Sequence, residues 1–275
     1  MLLRLSALPV AGLFAALAQS AIAAPLQPTF AGAWAPGTGA QAEFRAIAAD
    51  WNDSSVWWNE DTRSHSSTPA PGYAPIGSFE WGTGVWGLND WQRVQSGEVP
   101  SIAQWSGNVA RIDQANGMYR EVYGASAWGP VSALPEGFAA EENWTAHYTG
   151  YLRITEEADD YNFGVLYDDG FFLRICGAGE DCVEISSDFL SPRDRLGFDE
   201  NLWLTEGLYS FELGAYNRLE AGVVQLVWWR GDDAPEVVPT EHLVIDPTRI
   251  PLPGSLALIA LGGIGIGASR RRSQR

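Results

Sequence analysis

The sequence predicts an all-β fold, an antiparallel β-sandwich or jelly-roll-like barrel, set between two apolar terminal helices. Three observations predict it. No stretch of residues 24–249 sustains an apolar period of 3.6 over three turns. Short runs rich in aromatic and β-branched residues recur along the second half, and "YNFGVLY" at 161–167 alternates cleanly. Gly, Pro, Asp and Asn separate these runs. Many short strands with regular turns favour two packed sheets or a closed barrel.

Taken in order, residues 1–23 read "MLLRLSALPVAGLFAALAQSAIA". Arg4 precedes an apolar stretch that closes on Ala21-Ile22-Ala23, the pattern of a secretory signal peptide. A retained anchor helix is the alternative, but Pro9 and the small-residue exit favour cleavage. Residues 24–80 read as a loop-rich N-terminal arm. Within it, "GAQAEFRAIAAD" (39–50) is the best helix candidate, and "SHSSTPAPGYAPIG" (64–77) reads as an exposed loop. Residues 81–249 read as the β-sandwich domain. Its strands are expected in "SIAQWSGNVARID", in "NWTAHYTGYLRI" with Trp144 and Tyr148 as apolar anchors, and in "YNFGVLY". The last should place Tyr161, Phe163, Val165 and Tyr167 on one face, with Asn162, Gly164 and Leu166 opposite. "FFLRIC", "CVEIS", "LWLTEGLYSFELGAYN" and "VVQLVWW" follow.

Residues 250–275 form the other apolar end. Pro251 and Pro253 block helix at its start. From Gly254 to Ala268 all but Ser255 are apolar or glycine, and Arg270, Arg271, Arg272 and Arg275 follow. The run is shorter than the roughly 20 residues that span a bilayer comfortably, and its arginines would stay cytoplasmic. This tail resembles the PEP-CTERM sorting signals of Gram-negative bacteria, in the variant whose motif reads Val-Pro-Leu-Pro-Ala. Here the motif is Ile250-Pro251-Leu252-Pro253-Gly254. The resemblance implies recognition and removal by an exosortase-type membrane enzyme. It also implies inner-membrane anchoring by this C-terminal segment before processing, then delivery to the cell surface or extracellular matrix. A plain C-terminal membrane anchor is the alternative, and it also leaves the body outside the cytoplasm.

The charge agrees with export. All 17 basic residues are arginine, against 34 Asp and Glu. Residues 24–249 keep 12 of those arginines and all 34 acids. Such a body repels phosphates and anionic lipids and excludes nucleic acid as a partner. It suits divalent cations and neutral ligands. Cys176 and Cys182, the only cysteines, flank "GAGED". Outside the cytoplasm this close pair is expected as a disulfide across a hairpin. Metal binding is the alternative, though a lone pair without nearby histidine is poor zinc chemistry. No GxSxG, HExxH or phosphate loop is present. His65, His147 and His242 fall in unrelated contexts. A glycosidase carboxylate pair is not singled out among the acids, so the expected domain is non-catalytic, with a secreted polysaccharide hydrolase as a minority alternative.

Several motifs follow one another between residues 140 and 245: "YTGYLRI", "DDYNFGVLYDDGFFLRI", "EGLYSFELGAYN" and "GVVQLVWW". Together they resemble the carbohydrate-binding-type domain first described in the N-terminal part of anthrax protective antigen, which also occurs in yeast flocculins and in some glycosidases. The matching elements are residues 148–152, 161–163, 168–170 and 226–228. Asp160 departs from the usual Gly, and "CGAGEDC" replaces a short Asp-Gly hairpin. The resemblance implies a cell-surface adhesion module with extracellular polysaccharide or another glycan as its partner. For flocculin-like members it implies a cis peptide between consecutive aspartates that ligate Ca2+, here Asp168 and Asp169, with an Asn from a later loop, here Asn217. Calcium wants six to eight oxygens, so two carboxylates do not suffice. The other reading is local. Asp169-Gly170 is a strong two-residue hairpin signal, in which case Asp168 and Asp169 are architecture, in a structural surface or matrix protein that binds no sugar. The 13 tryptophans exceed ordinary usage. Most should fill the core, but Trp57-Trp58 and Trp228-Trp229 should each send one ring to the opposite face.

Overall fold

The computed structural model describes residues 24–51, 56–66, 68–188, 197–198 and 200–247. The expected signal peptide (1–23) and sorting segment (250–275) lie outside the described residues. Among the described residues no helix is long and apolar enough to cross a membrane.

The sandwich is carried by β1 (Ala40–Ala46), β2 (Ala103–Val109), β3 (Asp113–Ala115), β4 (Trp144–Ile154), β5 (Ala158–Asp168), β6 (Gly170–Cys176), β7 (Cys182–Ser187), β8 (Leu202–Leu204), β9 (Gly207–Asn217) and β10 (Val223–Arg230). One sheet has the order β7-β6-β9-β4-β1-β2, with Phe30–Ala31 added on β9 and Leu243–Val244 on β4. The other places Ser132–Ala133 beside β3, then β10, β5 and β8, with Glu236–Val237 added on β10. These pairings are antiparallel, save the short one between Ser132–Ala133 and β3. The all-β antiparallel sandwich is therefore as the sequence predicts.

Alternation explains the core. In β5, Tyr161, Phe163, Val165 and Tyr167 turn inward and meet Phe44, Tyr148, Leu152 and Leu213 of the facing sheet. Leu166 points the other way and joins a separate cluster with Tyr119, Ala221 and Val223. β4 and β9 pair along their full lengths, from Trp144 opposite Asn217 to Ile154 opposite Gly207. Each large apolar side chain removed from water in this way contributes roughly 1.5–3 kcal/mol.

Two expectations are corrected. Residues 39–50 are not helical: Ala40–Ala46 is an inner strand between β4 and β2. Its Ala40, Ala42, Phe44 and Ala46 are fully buried, and between them Glu43 and Arg45 pair at 2.6 Å on the other face. A period of two with a full burial reward overrides the helix preference of alanine. Residues 64–77 are not a plain exposed loop either. Ser64–Ser66 and Ala74–Pro75 flank Trp57–Asn59 in a three-stranded sheet, and Ile76 is fully buried.

Two helices were not expected. α1 (Leu88–Gln95) lies on the outer face of the larger sheet, burying Trp91 and Val94 with Ile47 and Tyr216. The Trp91 indole N–H donates to the Ala146 carbonyl at 2.9 Å. α2 (Gly117–Tyr123) starts on Asn116, whose side chain accepts from the Tyr119 N–H at 2.8 Å. The expected disulfide is present: Cys176 and Cys182 face each other at the end of the β6–β7 hairpin and are bonded.

Candidate functional site

The Asp168-Asp169-Gly170 stretch is not a hairpin turn. β5 belongs to the smaller sheet and β6 to the larger, so the chain crosses from one sheet to the other at these residues. Gly170 does not have the positive φ of a type I′ turn. It is glycine for a different reason: a Cβ there would stand 2.5 Å from the Tyr216 ring. The hairpin reading of Asp169-Gly170 is thus overturned. The Asp168–Asp169 peptide is cis.

The crossing brings the aspartates to the loop after β9. The Asp169 N–H donates to the Tyr216 carbonyl at 2.7 Å, and its Oδ2 accepts from the Arg218 N–H at 2.6 Å. These two bonds bracket Asn217, so the structure brings Asp169 and Asn217 together. Asn217 is fully buried. Its Nδ2 donates to the Glu141 carbonyl at 3.2 Å, while its Oδ1 has no hydrogen-bond partner. A buried amide oxygen left in this state is costly. Gly222 makes room for it, since a Cβ there would lie 2.5 Å from the Asn217 Cγ.

Asn116 braces the loop from behind. Its Nδ2 donates to the Glu141 and Glu220 carbonyls, and its Oδ1 accepts from the Gly222 N–H at 3.0 Å. Glu220 holds a positive φ of 59°, and its carboxylate opposes ionisation of both aspartates. Burial, then the Asp169 charge and then Glu220 push the Asp168 carboxyl up to about 8. Burial pushes Asp169 up to about 6, against the Arg218 N–H and charge, which pull it down. Among the described residues no ion pair neutralises Asp169.

Arg218 carries its own cation elsewhere. Its guanidinium donates to the Thr83 carbonyl at 2.9 Å and to the Trp81 carbonyl, and it lies 4.0 Å over the Trp86 ring. It thereby pins an aromatic cluster beside the aspartates. Trp81 stacks on Phe79 at 5.0 Å and meets Trp58 and Trp86 edge-on, yet remains 43% exposed. Sequence reasoning missed Trp81, Arg218 and Glu220. Only the "NRLE" stretch that ends β9 and opens the next loop signalled the last two, and nothing local marked Trp81.

The donors suit a hard cation: two carboxylates and an unsatisfied amide oxygen. Leu219 and Ala221 carry loop carbonyls that no hydrogen bond engages among the described residues. No group of three His, Cys, Asp or Glu side chains is placed to hold a metal among the described residues, so any ion here must also draw on amide and backbone oxygens.

Neither a family model nor a curated protein matches the chain. Solved structures similar to it include the PA14 domain of the MpAFP antifreeze protein, at 13% identity and TM-score 0.46, with 79% of this chain and 95% of that one covered. The epithelial adhesin 9 A domain of Candida glabrata, solved in complex with Galβ1-3GlcNAc, is 12% identical with a TM-score of 0.47, covering 81% and 98%. An anti-sigma factor domain-containing protein of Clostridium clariflavum is 17% identical with a TM-score of 0.41, covering 81% and 53%. The chain spans about half the length of the anti-sigma factor domain-containing proteins it matches, 45% and 53%. Likeness at this level carries no functional argument, so the functional reading rests on the chain's own residues.

Proposed function

We propose that this chain is a non-catalytic module that binds a neutral glycan through a calcium ion held by Asp168, Asp169 and Asn217. The observation that carries the reading is the buried, unpartnered Oδ1 of Asn217, held between two residues hydrogen-bonded to Asp169. A cation satisfies that oxygen and both carboxylates at once. The carbonyls of Leu219 and Ala221, with water, bring the oxygen count toward what calcium needs. Bound there, the ion offers open coordination positions to vicinal hydroxyls. Trp81 offers an apolar ring face alongside.

The export signals support the setting. The N-terminal pattern, the tail resembling a PEP-CTERM signal and the acidic body together favour a bacterial cell-surface or matrix protein. Calcium and polysaccharide are both available in such a setting. An exosortase-type enzyme would then be a processing partner rather than a ligand of the sandwich.

A glycan array probed with calcium and again with EDTA tests this reading. Binding to at least one glycan that EDTA abolishes, and that Asp169→Asn also abolishes, is expected. Calcium-dependent signals that survive Asp169→Asn, or none at all, would contradict it.

A further inference from the structure

A second cleft lies at the other end of the sandwich. Tyr161 stands near the start of β5 and Asp168 closes it. They are seven residue steps apart along the strand, about 23 Å at the usual rise. The cleft encloses about 470 Å3, within the size range of small-molecule sites. Its floor is aromatic. Trp228 and Tyr161 have ring centroids 6.2 Å apart, and Trp228 is only partly buried. His242 packs on Trp228 at 4.5 Å. His242 Nδ1 lies 2.7 Å from the Arg153 carbonyl. A carbonyl only accepts, so Nδ1 carries a proton, and in the neutral ring Nε2 is left as an acceptor. The Trp228 indole N–H donates to Glu236 Oε1 at 3.1 Å. Asp233 and Glu236 are exposed at the rim. Arg230 is held by Asp160 at 2.9 Å and Glu156 at 3.1 Å, and lies 5.2 Å over the Tyr161 ring.

These groups select among guests. A cationic guest finds Tyr161 already covered by Arg230. An anionic guest meets Asp233 and Glu236. A fully apolar guest strips water from two carboxylates and an imidazole without replacing it. A neutral sugar ring satisfies the whole lining: its C–H face covers the indole, its hydroxyls donate to Glu236, Asp233 and the His242 ring, and Arg230 donates in return. We propose that this cleft is a second, metal-independent saccharide site, so that one chain engages glycan at both ends of the sandwich. It uses neither calcium nor Asp169, and stands apart from the first site.

The test is retention on immobilised neutral polysaccharides, a β-glucan, a galactan and a mannan, with EDTA present throughout. The wild type and Asp169→Asn should be retained equally on at least one. Trp228→Ala should weaken that retention at least tenfold. Trp228 also packs on the core, so the Asp233→Ala, Glu236→Ala double variant is the second arm. Both residues are exposed, and the variant should keep the wild-type melting temperature while losing retention by a similar factor. Failure of the wild type to be retained in EDTA overturns the proposal, as does unchanged retention of the double variant or loss of retention in Asp169→Asn.

Discussion

At the residue scale the decisive atom is Asn217 Oδ1. Its position depends on Gly222, which touches no candidate ion but leaves the space the amide fills. Gly222→Ala is expected to displace the amide and weaken calcium binding by about tenfold, roughly 1.4 kcal/mol, as read by calorimetric titration. Unchanged affinity would remove Asn217 from the site. The aspartates make a separate prediction about pH. Their folded-state values are raised above the ordinary carboxylate range, so the fold favours the protonated forms. In chelator, the stability this pair contributes is present below about pH 4 and lost as the pH rises through about 6 and about 8. The melting temperature in EDTA should therefore fall across that window. The Asp168→Asn, Asp169→Asn double variant should show a shallower fall. Calcium should reverse the fall in the wild type alone, because metal and proton compete for the same oxygens.

At the element scale the site is made by a crossing and a loop. The crossing at Asp168–Gly170 needs glycine because the Tyr216 ring occupies the space a side chain would take. Gly170→Ala should cost about 1–3 kcal/mol, as overpacking usually does, measured by chemical denaturation. A cost near zero would show that Tyr216 can move aside. The β6–β7 hairpin makes a contrasting prediction. Its disulfide closes a small loop, so removing it with Cys176→Ser, Cys182→Ser should cost only about 2 kcal/mol and leave calcium affinity unchanged.

This is also where the sequence was legible and where it was not. β5 could be read directly, since Tyr161, Phe163, Val165 and Tyr167 alternate without interruption and all four are buried. The disulfide followed from the close spacing of the two cysteines and the expectation of export. Asp168, Asp169 and Asn217 were singled out only by the resemblance of the surrounding motifs to flocculin-like domains, and the fold places Asp169 beside the backbone on either side of Asn217. β1 was misread because its inward side chains are mostly alanine, which carries little periodic signal and favours helix. α1 escaped notice because it is short and only Leu88, Trp91 and Val94 supply its apolar face. Asp-Gly looked like a hairpin because local turn chemistry does not report which sheet the next strand joins. Trp81 could not be placed at all, since an arginine 137 residues away fixes it beside the site.

At the scale of the whole molecule, the sandwich presents different chemistry at its two ends. The Asp168–Asp169 end has a buried and a half-buried acid and an unsatisfied amide beside an exposed tryptophan. The Trp228 end has aromatics ringed by groups of both charges. With 12 arginines against 34 acids over residues 24–249, the body disfavours phosphates and anionic lipids and suits cations and neutral polymers. The cation at the first end is central to the proposed function. Calorimetric titration of calcium into chelator-treated full-length protein tests it most directly. One ion per chain, with binding lost in both Asp169→Asn and Asn217→Ala, is the predicted result. No saturable heat in the wild type, or the same isotherm in the variants, would contradict it.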